Sequence, residues 1–414
     1  MEKDININLL LDCLGRKSSA EVAERLCGAS NEVWRQLLEL AWQSGLGPLF
    51  YSRVKVLLSD NKIPPEITKQ LRHIYIENTA RNTLFYHELS NILEAFNKVN
   101  IPVILLKGAY LAEKIYEDIG LRPMLDIDLL LRKKDLAKGN EVLINLGYSK
   151  VKQIDIDIES AQRHHISRLI KGCLPVELHW HIFPPRYPFS VDIDQIWERA
   201  VKQKIADKKL LVLSLEDLLL HLCEHASFHH VFEQDMKSLY DIKMVIEKCK
   251  DVLQWDIFIE RAFAWKVERC AYLTLRMVQN FFGIELADTI IVKLKPEELP
   301  PQIMPMAEEL LLARVLENYK ISTCLAQVWK AEKLGERVSL FLKRVFPSRQ
   351  EIATMYPVLP GSLRIYMYYP VRIKDLLFRY GRGAFGLARK DKDALGLAEQ
   401  RQKEEELRTW LEKR

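Results

Sequence analysis

Apolar residues recur at helical spacing through the first hundred positions of the chain, bunch into short runs over the next hundred, and return to helical spacing until the end. Ser30 opens the clearest early period, Trp34 to Trp42, and Pro64-Pro65 breaks the chain before a long helix predicted over about Glu66 to Asn97, with Leu71, Ile74, Tyr75, Leu84, Phe85 and Leu89 as its apolar positions. The pattern then changes. Ile101 to Leu106 is a short, partly β-branched run that ends at Gly108; Asp126 to Leu131 and Pro175 to Ile182 are two more strand candidates. Between them lie helical stretches, Ala109 to Glu117 and Lys133 to Leu146, the second closed by Gly147 in C-cap position. Strands alternating with helices predict a small α/β core over residues 98–212. Helices resume at Ser214, which has an acid three residues on at Asp217, and continue to about Phe282. Pro296, Pro300, Pro301 and Pro305 mark a loop, Tyr356 to Gly361 marks a second break, and Ala394 to Arg414 is a charge-rich helical tail. The expected fold class is α+β: an N-terminal helical region (1–97), the core (98–212), a helical region beside it (213–295) and a C-terminal helical region (296–414).

Within that core the strongest chemical signal is Asp126-Ile127-Asp128. Side chains two apart on a strand point to one face, so the two carboxylates sit side by side while Ile127 turns into the core. Carboxylates held that close need a cation between them. Hard oxygen donors select Mg²⁺ or Mn²⁺. Glu177, on the next strongly strand-like segment, supplies a third acid, and three such acids suit a two-metal site for phosphoryl or nucleotidyl transfer. The bland alternative is a polar strand entry whose acids cap a loop. Glu177 shares its strand face with His179 and His181, which makes these histidines candidates for supporting the acids or touching an acceptor; packing beside Trp180 is the competing reading.

Composition narrows the class without naming it. Apolar residues make up 48% of 414, enough for a substantial core, and charged residues 28%. The net charge of +5 neither demands nor excludes nucleic acid; the basic and aromatic residues between Tyr366 and Lys392 leave it possible, but a solvated amphipathic helix explains them as well. Seven scattered cysteines with no CxxC pair argue against a disulfide framework or zinc knuckle and for a reducing cytoplasm. The polar start is no signal peptide, and no apolar run approaches the roughly 20 residues of a membrane span.

One further motif competes. His221-Leu-Cys-Glu224-His225 matches H-x-x-E-H, the inverted zinc-protease pattern. On a helix His221 and His225 share a face, His229 extends it, and Glu297 or Glu298 would be the third ligand. That third ligand sits in a proline-rich loop, and the Asp-x-Asp set would be left idle. A helix packed over the core cleft, with His221, His225 and Asp235 or Asp241 on an acceptor side, is a better expectation than zinc, and a partly buried helix with several satisfied imidazoles is the favoured one. Eight of the ten histidines lie between residues 164 and 230, which points to one polar cleft.

Leu106-Lys107-Gly108-Ala109, then Arg122-Pro-Met-Leu-Asp126-Ile-Asp128-Leu-Leu, then Val176-Glu177-Leu-His179-Trp180 is an ordered set that resembles the nucleotidyltransferase superfamily with the polymerase-β-like core, and more closely a bacterial family of uncharacterised nucleotidyltransferases. The resemblance spans about residues 80 to 250. It implies a small mixed-sheet core, with residues 213–295 on the substrate side. It implies Mg²⁺ or Mn²⁺ on Asp126, Asp128 and Glu177, with an NTP and a hydroxyl-bearing acceptor as partners. Lys107, Gly108, Ala109 and Arg122 would meet the nucleotide phosphates; the bland alternatives are a solvated charge at Lys107 and a loop salt bridge at Arg122. The family pattern has Gly-Ser or Gly-Gly where this chain has Gly108-Ala109, so the hydroxyl is missing. That departure keeps a second expectation open, a degenerate transferase fold that binds a nucleotide or a partner without chemistry.

Overall fold

The computed structural model describes residues 2–413 apart from 17–18, 59–61, 153, 234–235, 314–320, 332, 357 and 359–360. The chain divides into two compact units, Met1–Val151 with His164–His230 and Asp235–Leu299, and Lys152–Arg163 with Val231–Gln234 and Pro300–Arg414. The fold is α+β, with one seven-stranded mixed sheet and flanking helices.

The first unit opens with helices α1 (Glu2–Leu11), α2 (Ser19–Cys27), α3 (Asn31–Gln43), α4 (Gly47–Leu57) and the long α5 (Pro65–Lys98). Ser30 caps α3, its hydroxyl accepting from Val33 N at 3.3 Å. Along α5 a fully buried stripe of Leu71, Phe85, Leu89, Ile92 and Phe96 faces the core. Leu84, expected on that stripe, is 52% exposed, because its neighbour Phe85 takes the inward direction. The stripe also contains Asn78 and Asn82, both buried. Buried amides need partners, and these find carbonyls: Asn78 donates to Gly120 O at 2.7 Å and Asn82 to Arg122 O at 2.8 Å. The loop that leads into the Asp-x-Asp strand is thereby pinned to α5. Gly120 is required there, since a Cβ would lie 2.3 Å from Thr79 Oγ1.

The sheet strands are β1 (Ile104–Leu105), β2 (Ile127–Leu130), β3 (Ser149–Lys150), β4 (Leu169–Lys171), β5 (Leu174–His179), β6 (Val201–Ile205) and β7 (Lys208–Val212). Their order is β3-β4-β5-β2-β1-β7-β6. β2 runs parallel to β5 and β1 parallel to β7, while the other pairs are antiparallel. The central β2 is buried at every position, as a strand covered on both faces must be. Interleaved helices are α6 (Lys107–Tyr110), which continues as a π-turn over Leu111–Ile115, α7 (Leu136–Asn145), α8 (Ile156–Gln162, in the second unit) and α9 (Ile193–Arg199). Strands β3, β4, β6 and β7 were not legible in the pattern. The first two are only two and three residues long, and the lysine-rich edge strand β6 and its neighbour β7 are joined by Ala206 (φ 49) and Asp207 (φ 60), a hairpin turn without its usual glycine or asparagine.

After Ser214, whose hydroxyl accepts from Asp217 N at 3.4 Å, come α10 (Leu215–Glu224), α11 (Met236–Lys248), α12 (Trp255–Trp265), α13 (Glu268–Phe282) and α14 (Asp288–Leu294). Asp241 on α11 is buried and takes a two-pronged ion pair from Arg122, Nε to Oδ1 and Nη2 to Oδ2, both 2.8 Å. Tyr116 Oη adds a 2.8 Å bond to Oδ1. The second unit is helical: α8, α15 (Ile303–Leu312), α16 (Thr323–Lys330), α17 (Leu334–Val345), α18 (Arg349–Met355), α19 (Tyr368–Ala388) and α20 (Lys392–Glu412). Ile321, Ala326, Leu387, Ala394, Leu397 and Ala398 form a small core within it. Of the expected Tyr356 to Gly361 break, Pro357, Leu359 and Pro360 lie outside the described residues. No helix among the described residues is long and apolar enough to cross a membrane.

Two expectations follow from the Arg122–Asp241 strut. Arg122→Ala strands a buried carboxylate and should destabilise the first unit by about 3–5 kcal/mol in urea denaturation, with Arg122→Met/Asp241→Leu recovering most of the loss. The strut also sets a pH dependence. Burial opposes the Asp241 charge, but Arg122 and Lys237 outweigh it and hold its pKa below the ordinary carboxylate value. A depressed folded pKa gives stability that is present above the unfolded value of about 3.9 and lost as pH falls through the folded one. Acid titration of unfolding should show this loss in the wild type and not in the double variant.

Candidate active site

The sheet brings the three predicted acids to one place. Asp128 and Glu177 lie directly opposite each other in the parallel β2–β5 pair. Asp126, two residues before Asp128, shares its face. All three are enclosed, their side chains 25% (Asp126), 9% (Asp128) and 14% (Glu177) exposed. Three cationic groups hold them together. Arg168, immediately before β4, reaches Glu177 Oε1 (Nε at 2.8 Å) and Asp126 Oδ2 (Nη2 at 3.1 Å). Lys107, the first residue of α6, places Nζ 3.6 Å from Asp128 Oδ2. His179, at the end of β5, places Nε2 3.2 Å from Asp128 Oδ1 and 3.6 Å from Glu177 Oε2.

Proton affinities diverge within this group. Burial, then repulsion from Asp128 and Glu177, pushes Asp126 up to about 6. Burial also works against the Asp128 charge, but Lys107 and His179 outweigh it and pull its pKa far down. For Glu177 burial is likewise overcome, by the bond from His179, and the carboxyl falls to about 2. His179 is raised to about 9, its burial outweighed by bonds to Asp128 and Glu177. Neighbouring carboxylates with proton affinities driven apart are a signature of functional sites. The carboxylate oxygens and one imidazole of Asp128, Glu177 and His179 also lie within 4.8 Å of one another, a spacing a metal ion can close.

The residues expected at the phosphates are placed unevenly. Lys107 lines the site. Its Nζ is 2.7 Å from His225 Nε2 as well as near Asp128. Gly108 follows it at the start of α6, and a Cβ there would make only ordinary contacts, the nearest 3.7 Å from Arg122 Nη1. Ala109 is buried, its carbonyl accepting from Tyr86 Oη at 2.6 Å. Arg122 has different partners from those expected. Its guanidinium is buried, spends Nε and Nη2 on Asp241, and turns Nη1 to Gly108 O at 3.3 Å. It braces the Gly108 turn from beneath. Asp241, expected on an acceptor side, is committed to the same pair, and Asp235 lies outside the described residues.

The histidines sort into three groups. His179 is part of the acid cluster. His181 is not, because β5 ends at His179 and the two-residue alternation stops there. Its Nδ1 accepts from Phe183 N at 3.0 Å and its Nε2 is 3.3 Å from Val191 O, so it shapes the following turn. Burial pushes its pKa down. His221 is buried on α10, with neither ring nitrogen hydrogen-bonded, and burial drives it well below its ordinary value. His225 leaves α10 as the helix loosens into a π-turn over His225–His229. The rings of His221 and His225 stand 6.0 Å apart, and His225 instead stacks on His229 at 5.0 Å. Among the described residues the metal-capable groups are His225/His229/His230 and Asp128/Glu177/His179, so the H-x-x-E-H pattern does not assemble its ligand set. Arg168, His164 and His165 were missed by the sequence reading. His164 and His165 each pack 5.2 Å from His179. The clustering of histidines was the only signal for them, and nothing marked Arg168.

A family model described as "Uncharacterised nucleotidyltransferase" matches residues 30–283. That span holds the whole sheet and α10 to α13. Among solved structures, that of the antibiotic-resistance factor ANT(2'')-Ia is similar at 15% identity over 48% of this chain and 98% of that one, with a TM-score of 0.32. None of the curated proteins matches the chain.

The crowding of acids has a measurable cost. A carboxyl whose folded pKa is raised stabilises the fold below its unfolded pKa and loses that contribution as pH rises through the folded value. In the absence of metal, Asp126→Asn should therefore stabilise the protein at pH 7 by about 1–3 kcal/mol, and the gain should vanish below about pH 4. Thermal unfolding in chelator across that pH range measures it.

Proposed function

We propose that this chain, which belongs to the uncharacterised nucleotidyltransferase family and is a nucleotidyltransferase, moves a nucleotidyl group from an NTP to a hydroxyl-bearing acceptor with release of pyrophosphate. The observation that carries this reading is the convergence of Asp126, Asp128 and Glu177 on the opposed β2 and β5 strands. Their hard oxygens fit Mg²⁺ or Mn²⁺, which Asp126, Asp128 and Glu177 would hold. When bound, the metal neutralises triphosphate charge and stabilises both the attacking and the leaving oxygen.

The chain's own residues do the rest. Glu177 accepts the acceptor hydroxyl's hydrogen bond and aims its oxygen at the α-phosphorus. The new P–O bond forms as the bond to the pyrophosphate leaving group breaks, and the hydroxyl proton passes to the Glu177 carboxylate. Lys107 offers its ammonium to the phosphates from beside Asp128. The backbone at Gly108-Ala109 lets a phosphate approach closely. Arg122 holds that turn in place through Asp241.

A second reading draws on Arg168 and Ala109. The guanidinium already neutralises Asp126 and Glu177 where a cation would sit, and Ala109 lacks the hydroxyl of the family's phosphate turn. A nucleotide- or partner-binding module would keep both features without chemistry.

Thermal shift with each NTP, with and without Mg²⁺ or Mn²⁺, tests the proposal. One NTP at about 100 times its Kd should add about 2.7 kcal/mol of stability, only with metal and only in the wild type, while Asp126→Ala/Asp128→Ala shows no shift. Pyrophosphate release on adding hydroxyl compounds then separates the enzyme from the binding module. Gly108→Ala should leave the melting temperature of the free protein unchanged and weaken the nucleotide shift. An unaltered shift would remove the close phosphate approach from the reading.

A further inference from the structure

The π-turn after α10 does something an α-helix cannot. In an α-helix residue i+5 points about 140° around the axis from residue i. Here His230 N donates to His225 O at 3.0 Å, an i to i+5 bond, and the wider turn brings His225, His229 and His230 together. Ring centroids stand 5.0 Å apart for His225–His229, 4.5 Å for His225–His230 and 5.0 Å for His229–His230, and one nitrogen from each lies within 4.8 Å of the other two. Such turns recur at functional sites. The chain leaves this one through Val231 (φ 51) and Phe232 (φ 56), left-handed conformations that β-branched and bulky residues rarely hold, so the local backbone sustains strain to end the turn here.

We propose that His225, His229 and His230 form a second metal site, for a zinc-class transition ion, separate from the carboxylates. The donor set decides the class. Three imidazoles suit Zn²⁺ and its neighbours and do not suit Mg²⁺, which the carboxylates take. Three protein ligands leave a fourth position for water or a substrate atom. Zn–N bonds of about 2.0–2.1 Å in a tetrahedral set place the nitrogens about 3.3 Å apart, a spacing that nitrogens already within 4.8 Å of one another reach by rotation of the exposed His229 and His230 side chains. The outer contacts fit as well. Tyr187 Oη lies 3.1 Å from His229 Nδ1, the kind of second partner that orients a metal-bound imidazole. His225 Nε2 is at present 2.7 Å from Lys107 Nζ. An ion that takes this nitrogen releases the ammonium, whose other neighbour is Asp128 at 3.6 Å. Occupancy of the histidine site therefore sets how much of Lys107 is available to the acids and to a phosphate.

The test uses the full chain, stripped with chelator, dialysed against Zn²⁺ in a large excess of Mg²⁺, and analysed for bound metal. One zinc per chain is expected for the wild type and for Asp126→Ala/Asp128→Ala, and at least about 100-fold weaker binding for His229→Ala/His230→Ala. Co²⁺ in place of Zn²⁺ gives a readout that needs no variant: paramagnetically shifted imidazole N–H resonances from three histidines. No retained zinc, no shifted imidazole signals, or zinc lost from the aspartate variant and kept by the histidine variant would each overturn the proposal. Because the aspartate variant carries its own nucleotide test, failure of the carboxylate reading and failure of this one are distinguishable.

Discussion

Two ionised carboxylates opposite each other in neighbouring strands repel, and the end of this sheet is built around that repulsion. Like charges about 4 Å apart cost about 4 kcal/mol at an effective dielectric of about 20. Asp128 and Glu177 hold such positions because β2 and β5 are parallel and in register, and Asp126 adds a third charge. The surrounding elements answer with cations from three directions: Lys107 from the helix after β1, Arg168 from the chain entering β4, and His179 from β5 itself. The uneven result, with Asp126 pushed up and Asp128 and Glu177 pulled down, arises because burial and repulsion outweigh the cations at Asp126, while Lys107 and His179 outweigh them at Asp128 and His179 does so at Glu177. A divalent cation entering the site would meet a charge arrangement already strained in its favour.

Behind the acids stands a layer of buried, mutually neutralised groups. Arg122 and Asp241 satisfy one another in the interior, with Tyr116 on the same carboxylate. Arg122 also reaches back to the Gly108 carbonyl, and Asn78 and Asn82 clamp the loop on either side of Gly120. A surface arginine would have served a phosphate; a buried one must be paired, and Asp241 was there to pair it. Specific polar contacts rather than apolar burial thus position the loop that delivers the Asp-x-Asp strand.

The histidine segment shows how far a motif depends on the geometry assumed for it. H-x-x-E-H places two imidazoles on one face only if the helix keeps its 3.6-residue period. The 221–225 turn does keep that period, His225 N donating to His221 O, but His221 is buried with both ring nitrogens unbonded; the backbone widens into a π-turn only after His225, and the residues that converge are spaced four and five apart. Helical period grouped His225 with His229, and His230 joins them only because the turn widens, a position that no α-helical or strand period supplies.

The sequence by itself determined the acid trio, the helical regions on either side of the core, and the long α5 helix, since these rest on local periodicity and on chemistry that few residue types can perform. It also located Lys107 and Gly108 at the strand-to-helix turn. Tertiary structure decided what period cannot carry: the short and lysine-rich strands at the sheet edges, the exclusion of His181 once β5 ended, the burial of Arg122 against a residue 119 positions away, and the placing of Arg168 across the acids. The Arg122–Asp241 and Arg168–Asp126 pairs join residues 119 and 42 positions apart, set by which charge or hydrogen-bonding group the folded chain leaves within reach, and no local pattern of apolar and polar residues encodes that distance.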